Sequence, residues 1–385
     1  MEKRKIAFPA LKIPGDMAYI LGLFIATRIA LTAVGYVAHQ VLWKQSFTGL
    51  EAFTKIWTVW DGSWYISIAK NGYSALPVND VNMANYAFFP LYPALVRLAS
   101  FAFGDYALSG IIVSNICLLV ACYYIYRYVG LDSDEAAARR SVKYLLLFPA
   151  AFVFSAVLTE SLFIALVVAC LYYARKGNWL AAGILGFFVP LARLPGLAIV
   201  VPLVYEYLRQ HGATLRHIPD ARSIARSILR PEIIMLSLPL FGLGLFAAGN
   251  YYLTGDFLGF MRIQSTWGGR MVLPPVELLA RLNPTNGAIF TGAIFTIAAL
   301  ALMLLFYRKV DPGAWMLGII LILIPLFSAQ SCYSMLRYLA VVFPLFIIAA
   351  KITKDRRIDN ALTVVLIILE GVFMALWTTW SSLIV

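Results

Sequence analysis

Asp61 stands between two tryptophans in the run Trp60-Asp61-Gly62-Ser63-Trp64-Tyr65, and a second aromatic and proline-rich run, Phe88-Phe89-Pro90-Leu91-Tyr92-Pro93, follows it. A carboxylate held among aromatic rings at a membrane face can take a proton from an incoming hydroxyl. Trp60, Trp64, Tyr65 and Tyr92 offer apolar platforms with polar rims, which suit a sugar ring or a lipid headgroup. The same residues also fit an interfacial aromatic belt in which Asp61 caps the next helix. Spacing alone leaves these two readings open.

Further along the chain, Glu160, Arg193 and Arg337 lie at the ends of apolar runs, where ionisable groups are costly unless they are paired or functional. An arginine presents a planar donor fork that matches phosphate oxygens, so Arg193, Arg337 and Arg270 are candidates for holding a phosphate. Each could equally extend its side chain to the interface. Arg28 and Glu370 fall deeper in their apolar runs, where an ion pair or a hydrogen-bonded anchor accounts for them as well as substrate contact does. The stretch Gly255 to Arg270 combines glycines with large aromatics and includes Gln264 and Trp267. It reads as a packed external loop that caps a cavity.

The elements that must position these residues are set by composition. The chain has 385 residues, is 62% hydrophobic with mean hydropathy +0.82, and is only 13% charged, against roughly 25% in soluble domains. Repeated apolar runs near 20 residues, each about long enough to cross a ~30 Å hydrocarbon core, predict an all-α polytopic transmembrane bundle. Spans are expected at 17–39, 107–128, 141–158, 160–175, 178–191, 194–208, 232–253, 288–307, 314–329, 338–350 and 361–381, about 11 in all. The run from 85 to 103 is interrupted by Pro90, Pro93 and Arg97 and is expected to lie at the interface or to re-enter the bilayer. The whole of 1–385 is read as one integral membrane domain, with the external loop 40–106 carrying the chemistry and interfacial helices. Met17 to His39 is too long for the apolar core of a signal peptide and is kept as a span.

The net charge of +12 does not point to nucleic acid, because the basic residues sit in short loops between spans. With the N terminus cytoplasmic, the inward-facing segments hold 21 of the 31 Lys and Arg residues, the asymmetry that orients multi-pass proteins. Arg209 to Arg230 is then a solvated cytoplasmic connector beside anionic lipid. The Asp61 loop, Phe88 to Pro93, Thr159-Glu160-Ser161, Arg193 to Gly196, Thr254 to Gly287 and Gln330 to Tyr338 all fall on the extracytoplasmic face. His39, His211 and His217 lack metal-ligand spacing, and the four cysteines form no CxxC pair, so no zinc site and no disulfide framework is expected. No Walker A loop, GxSxG elbow or Rossmann fingerprint occurs.

In this order the motifs resemble the PIG-V type mannosyltransferases, a family related to the enzyme that adds the second mannose of GPI anchors. The resemblance rests on Trp60-Asp61-Gly62-x-Trp64-Tyr65 and Ala87-Phe88-Phe89-Pro90-Leu91-Tyr92-Pro93. It continues through Phe148-Pro149, Ser155 to Ser161, Arg193-x-Pro195-Gly196, the Gly255 to Arg270 loop and Arg337-Tyr338, covering most of the chain. More widely, it is similar to the GT-C integral membrane glycosyltransferases, whose first external loop places an acidic residue before a Pro-Leu-containing amphipathic helix. Asp61 matches the acid, and Pro90 to Arg97 matches the helix. One departure stands out: Arg193-Leu194-Pro195-Gly196 replaces the Arg-Pro-x-Gly of relatives, which puts the turn after Arg193 in question.

The resemblance implies a polyprenyl-phosphate sugar as donor, mannose in the first instance, and a glycolipid, glycan or protein acceptor on the extracytoplasmic face of the membrane. Asp61 would act as general base in a single inverting displacement. The expected substrate-binding set is Trp60, Trp64, Tyr65, Tyr92, Arg97, Glu160, Arg193, Gln264, Trp267, Arg270, Arg337 and Tyr338. No cofactor and no metal is expected, since no second carboxylate pairs with Asp61 in the sequence. A small membrane companion subunit is compatible with the family. The competing reading is a flippase or transporter of a lipid-linked sugar, which should show inverted repeats and broken helices at the bilayer midplane. The odd segments here gather on one face instead.

Overall fold

In the computed structural model the described residues are 15–44, 48–75, 83–212, 232–267, 287–328 and 334–381, with 272, 273, 278 and 282. They are predominantly helical, as the hydropathy pattern requires. Among the described residues four helices are long and apolar enough to cross a membrane: α1 (Gly15–Val41), α5 (Tyr106–Val129), α10 (Glu232–Thr254) and α16 (Arg356–Thr378). Between α1 and α5 the first loop folds into three short helices, α2 (Gly49–Trp57), α3 (Gly62–Asn71) and α4 (Leu91–Phe103). Helix α4 buries Tyr92, Pro93 and Val96 on one face and exposes Leu98, Phe101 and Phe103 on the other. That two-faced pattern fits a helix lying at the membrane interface, one of the two arrangements expected for 85–103.

Helix α6 (Glu135–Leu146) follows, then α7 (Glu160–Arg175), α8 (Trp179–Ala192) and α9 (Val200–Gln210). Helix α7 is the centre of the bundle. It packs between α5 and α8, and α10 covers α8 from outside. After α10 come the short α11 (Gly259–Arg262), then α12 (Gly287–Leu305), α13 (Pro312–Leu326), α14 (Met335–Ala340) and α15 (Pro344–Ile352). Asp and Asn side chains cap α5, α6, α8, α13 and α16, each accepting a backbone N–H of its first turn; such caps satisfy donors that a helix start leaves orphaned.

Three expected spans are broken, each for a visible reason. The run 141–158 is helical only to Leu146, because Pro149 cannot donate to a continuing helix; a buried non-helical stretch with a 3-10 turn at Ala151–Phe154 follows. The run 194–208 begins as a 3-10 turn, Leu194–Ile199, before α9. The run 338–350 is split between α14 and α15 at Val341 to Phe343, ahead of Pro344.

The buried stretch after α6 needs partners for its peptide groups, since no water reaches them in the bilayer. Arg28 of α1 provides them. Its Nη1 donates to the Ala151 carbonyl and to Ser155 Oγ, both at 3.0 Å, and its Nη2 donates to the Leu146 carbonyl at 3.3 Å. Ser114 of α5 donates to the Ala156 carbonyl at 2.7 Å, and the Val157 amide donates to the Trp57 carbonyl at 2.9 Å. The stretch is thereby fixed on three sides before it delivers Glu160.

Candidate active site

Asp61 precedes α3, yet unlike the aspartates that cap other helices its side chain makes no cap hydrogen bond. It reaches across the fold instead. Arg337, from α14, donates through Nη1 to Asp61 Oδ2 at 2.5 Å. The same guanidinium uses its Nε on Glu160 Oε1, an oxygen that also takes Nη1 of Arg193. Two carboxylates and two arginines, separated in sequence by up to 276 positions, form one chain of contacts: Asp61, Arg337, Glu160, Arg193. The helix-cap reading of Asp61 therefore gives way to a charged cluster.

The members differ in burial, and that decides what each can do. Glu160 is fully buried at the first residue of α7, where the positive end of the helix dipole favours a carboxylate. Among the described residues its Oε2 has no hydrogen-bond partner, nor does the neighbouring Thr159 Oγ1. Asp61 keeps 37% of its side chain exposed, and among the described residues nothing bonds its Oδ1. Of the two acids, only Asp61 is open to an incoming molecule. The guanidinium of Arg193 also lies over the Tyr338 ring, 5.4 Å from its centroid, a cation–π geometry.

Arg193 is delivered by a turn that tolerates no larger residue at Gly196. Helix α8 ends at Ala192, Arg193 is extended, and the Gly196 amide donates back to the Arg193 carbonyl at 2.9 Å. A Cβ on Gly196 would stand 2.5 Å from the Val189 carbonyl oxygen. The Leu-Pro order in Arg193-Leu194-Pro195-Gly196 thus still carries Arg193 to Glu160.

The aromatics fasten the loop that carries Asp61. Trp60 adopts φ +57, packs on Trp380 with centroids 4.8 Å apart, and donates through Nε1 to the Trp377 carbonyl at 3.3 Å. Trp64 stacks on Phe88 at 5.4 Å and 20°, and Tyr65 meets Phe88 and Tyr92 edge-on. Burial pushes the Tyr65 phenol up to about 12, so it remains protonated. The two aromatic motifs of the first loop are therefore one packed unit.

Not every expected contact residue joins the cluster. Tyr92 is completely buried, and its hydroxyl is used by the Gly110 carbonyl at 3.0 Å and Ser114 at 2.8 Å; it braces α4 against α5. Arg97 is exposed on α4, and Gln264 is exposed beyond α11; no contact among the described residues ties either to the carboxylates. Arg270 and the Trp267 side chain lie outside the described residues. Arg28 and Glu370 approach to 3.7 Å inside the bundle, the anchoring role. Among the described residues no three His, Cys, Asp or Glu side chains gather as a metal-ligand set.

No protein-family model and no curated protein sequence matches the chain. Among solved structures it is similar to ArnT from Cupriavidus metallidurans bound to undecaprenyl phosphate, with 13% identity, 94% of this chain and 76% of that chain covered, and a TM-score of 0.52. The chain has the GT-C fold. It is also similar to an Archaeoglobus fulgidus oligosaccharyltransferase tethered with an acceptor peptide, with 13% identity, 93% of this chain and 55% of that chain covered, and a TM-score of 0.45. At such identity the likeness describes the GT-C architecture and nothing of the chemistry.

Proposed function

We propose that the protein is a membrane glycosyltransferase that moves a sugar, mannose in the first instance, from a polyprenyl-phosphate donor to an acceptor hydroxyl on the extracytoplasmic face. The observation that supports it most is the bridge from Arg337 to Asp61 and Glu160, with Asp61 half-exposed and a second cation, Arg193, on the same glutamate. It lies in a GT-C fold, and the similar ArnT structure holds undecaprenyl phosphate. Mannose is favoured by the likeness of the motifs to the PIG-V family.

Asp61 accepts the acceptor proton as that oxygen bonds to the anomeric carbon of the sugar. The bond from that carbon to the phosphate oxygen breaks on the opposite face, inverting the centre. The departing phosphate takes the bonding pair and is stabilised by Arg337 and Arg193, guanidiniums that stay charged throughout. Glu160, buried and unable to meet solvent, holds both arginines at a fixed separation.

Incubation of purified protein with polyprenyl-phosphate mannose and a membrane lipid extract, followed by mass spectrometry, is expected to yield a mannosylated product. Consumption of another lipid-linked sugar alone removes the mannose assignment. Lipid crossing the bilayer with no transfer removes the enzyme assignment in favour of a flippase.

A further inference from the structure

Tyr65, in the first turn of α3, follows Asp61 by four residues, and its amide donates to the Asp61 carbonyl at 3.4 Å. Side chains at that spacing share a helix face, so the phenol lies on the Asp61 side of α3. Its ring is held edge-on against Phe88 at 5.2 Å and against Tyr92 at 5.3 Å, and the residue is only 5% exposed. The ring is therefore packed away as part of the loop. Only the hydroxyl is left to act.

That hydroxyl has no internal use. The neighbouring Tyr92 commits its own to Gly110 and Ser114, whereas among the described residues nothing hydrogen-bonds the Tyr65 hydroxyl. Nor does it belong with sealed atoms such as Thr159 Oγ1, which lack both a partner and solvent contact. Arg337, Asp61, Glu160 and Arg193 all act on it electrostatically, so it opens beside the charged cluster, and burial keeps it protonated. A nearly desolvated O–H without an acceptor is costly. A molecule that brings an acceptor oxygen is favoured there.

The two guanidiniums decide the kind of acceptor, because they draw an anion to the space the phenol faces. A phosphodiester presents a pair of non-bridging oxygens, one for a guanidinium and one for the phenol. We infer that Tyr65 binds the donor through its hydroxyl, which donates to a non-bridging phosphate oxygen of the polyprenyl-phosphate sugar, rather than through its ring as an apolar platform. The proton stays on the phenol throughout, and the hydrogen bond strengthens as charge grows on the departing phosphate. This rests on the polyprenyl-phosphate reading above and adds a neutral donor to its two cations.

The test compares full-length wild type with Tyr65→Phe, which keeps the packed ring and removes only the hydroxyl. Each is titrated calorimetrically in detergent micelles with undecaprenyl phosphate, and with undecaprenol as the phosphate-free control. The variant should keep the wild-type thermal midpoint and its response to undecaprenol, while its Kd for undecaprenyl phosphate rises about 10- to 100-fold, the range of one hydrogen bond to a charged group. Equal affinity of both proteins for undecaprenyl phosphate overturns the inference and leaves the donor reading standing. A lowered midpoint in Tyr65→Phe also overturns it, since the hydroxyl would then serve the fold. A wild type that does not distinguish undecaprenyl phosphate from undecaprenol removes the donor reading itself, and this inference with it.

Discussion

Arg337 Nη1 and Asp61 Oδ2 stand 2.5 Å apart across 276 positions of sequence. The contact ties the first external loop to the short helix before α15, and through Glu160 to the head of α7. A guanidinium held between two carboxylates needs little movement to turn a donor toward a third anion, because its planar fork carries five N–H groups. The cluster is thus charge-balanced at rest and has positive charge available beside an exposed base.

Asp61→Asn tests the base. The amide keeps the size and accepts a hydrogen bond from Arg337, but it cannot take a proton. With Asp61 half-exposed and outside the core, the variant should fold with a thermal midpoint close to wild type. Transfer should fall by about 10²- to 10⁴-fold, the usual contribution of a positioned general base. Full transfer by a folded Asp61→Asn protein removes this role.

Arg337 combines stability with chemistry, and the two can be separated. Arg337→Met strips a buried cation from Glu160 and Asp61, and breaking such a pair from one side costs about 3–5 kcal/mol. Glu160 still holds Arg193, so Glu160→Gln in the same chain restores the charge balance but takes the carboxylate from Arg193, and should recover only part of the thermal midpoint. Activity should stay low in the double variant, because the phosphate still lacks Arg337. If Glu160→Gln rescues neither property, the two residues are not coupled as drawn.

The sequence and the fold agree where hydropathy or charge dictates the outcome. Four of the long apolar runs became the four long helices, and the second half of the proline-broken run at 85–103 became the two-faced helix α4. Sequence also singled out Asp61, Glu160, Arg193 and Arg337, since ionisable residues at span ends are rare. It did not show that one guanidinium joins both acids, which depends on tertiary contacts over more than a hundred residues. Tyr92 was misleading for the opposite reason: a tyrosine that braces two helices and one that meets a ligand look alike until the partner of the hydroxyl is known. The break after Leu146 was readable at Pro149, yet apolar composition concealed it.

Arg28→Met should destabilise the protein without touching the cluster directly. It removes the donors that serve the carbonyls of Leu146 and Ala151, and it leaves Glu370 alone in the bundle. Hydrogen bonds to charged groups contribute about 1.5–3 kcal/mol each, so thermal unfolding in detergent should shift clearly downward. Arg28→Lys should recover part of the loss, because an ammonium can reach fewer of these acceptors at once. Unchanged stability in Arg28→Met would show that the stretch from Leu147 to Thr159 holds itself in place.

Gly196→Ala addresses how Arg193 reaches Glu160. The added methyl would sit 2.5 Å from the Val189 carbonyl oxygen, and the obstacle is helix backbone rather than a side chain that can swing aside. The turn must open, which moves Arg193 away from Glu160 Oε1 at a cost of about 1–3 kcal/mol, as for other overpacked sites. Leu194→Pro makes the contrasting case, since it gives the Arg-Pro order of the motif that the sequence resembles; its ring removes an amide that makes no hydrogen bond among the described contacts. Activity should therefore fall in Gly196→Ala far more than in Leu194→Pro, measured as transfer per folded molecule. The reverse order would mean that Arg193 is positioned by the proline register and not by the close approach at Gly196.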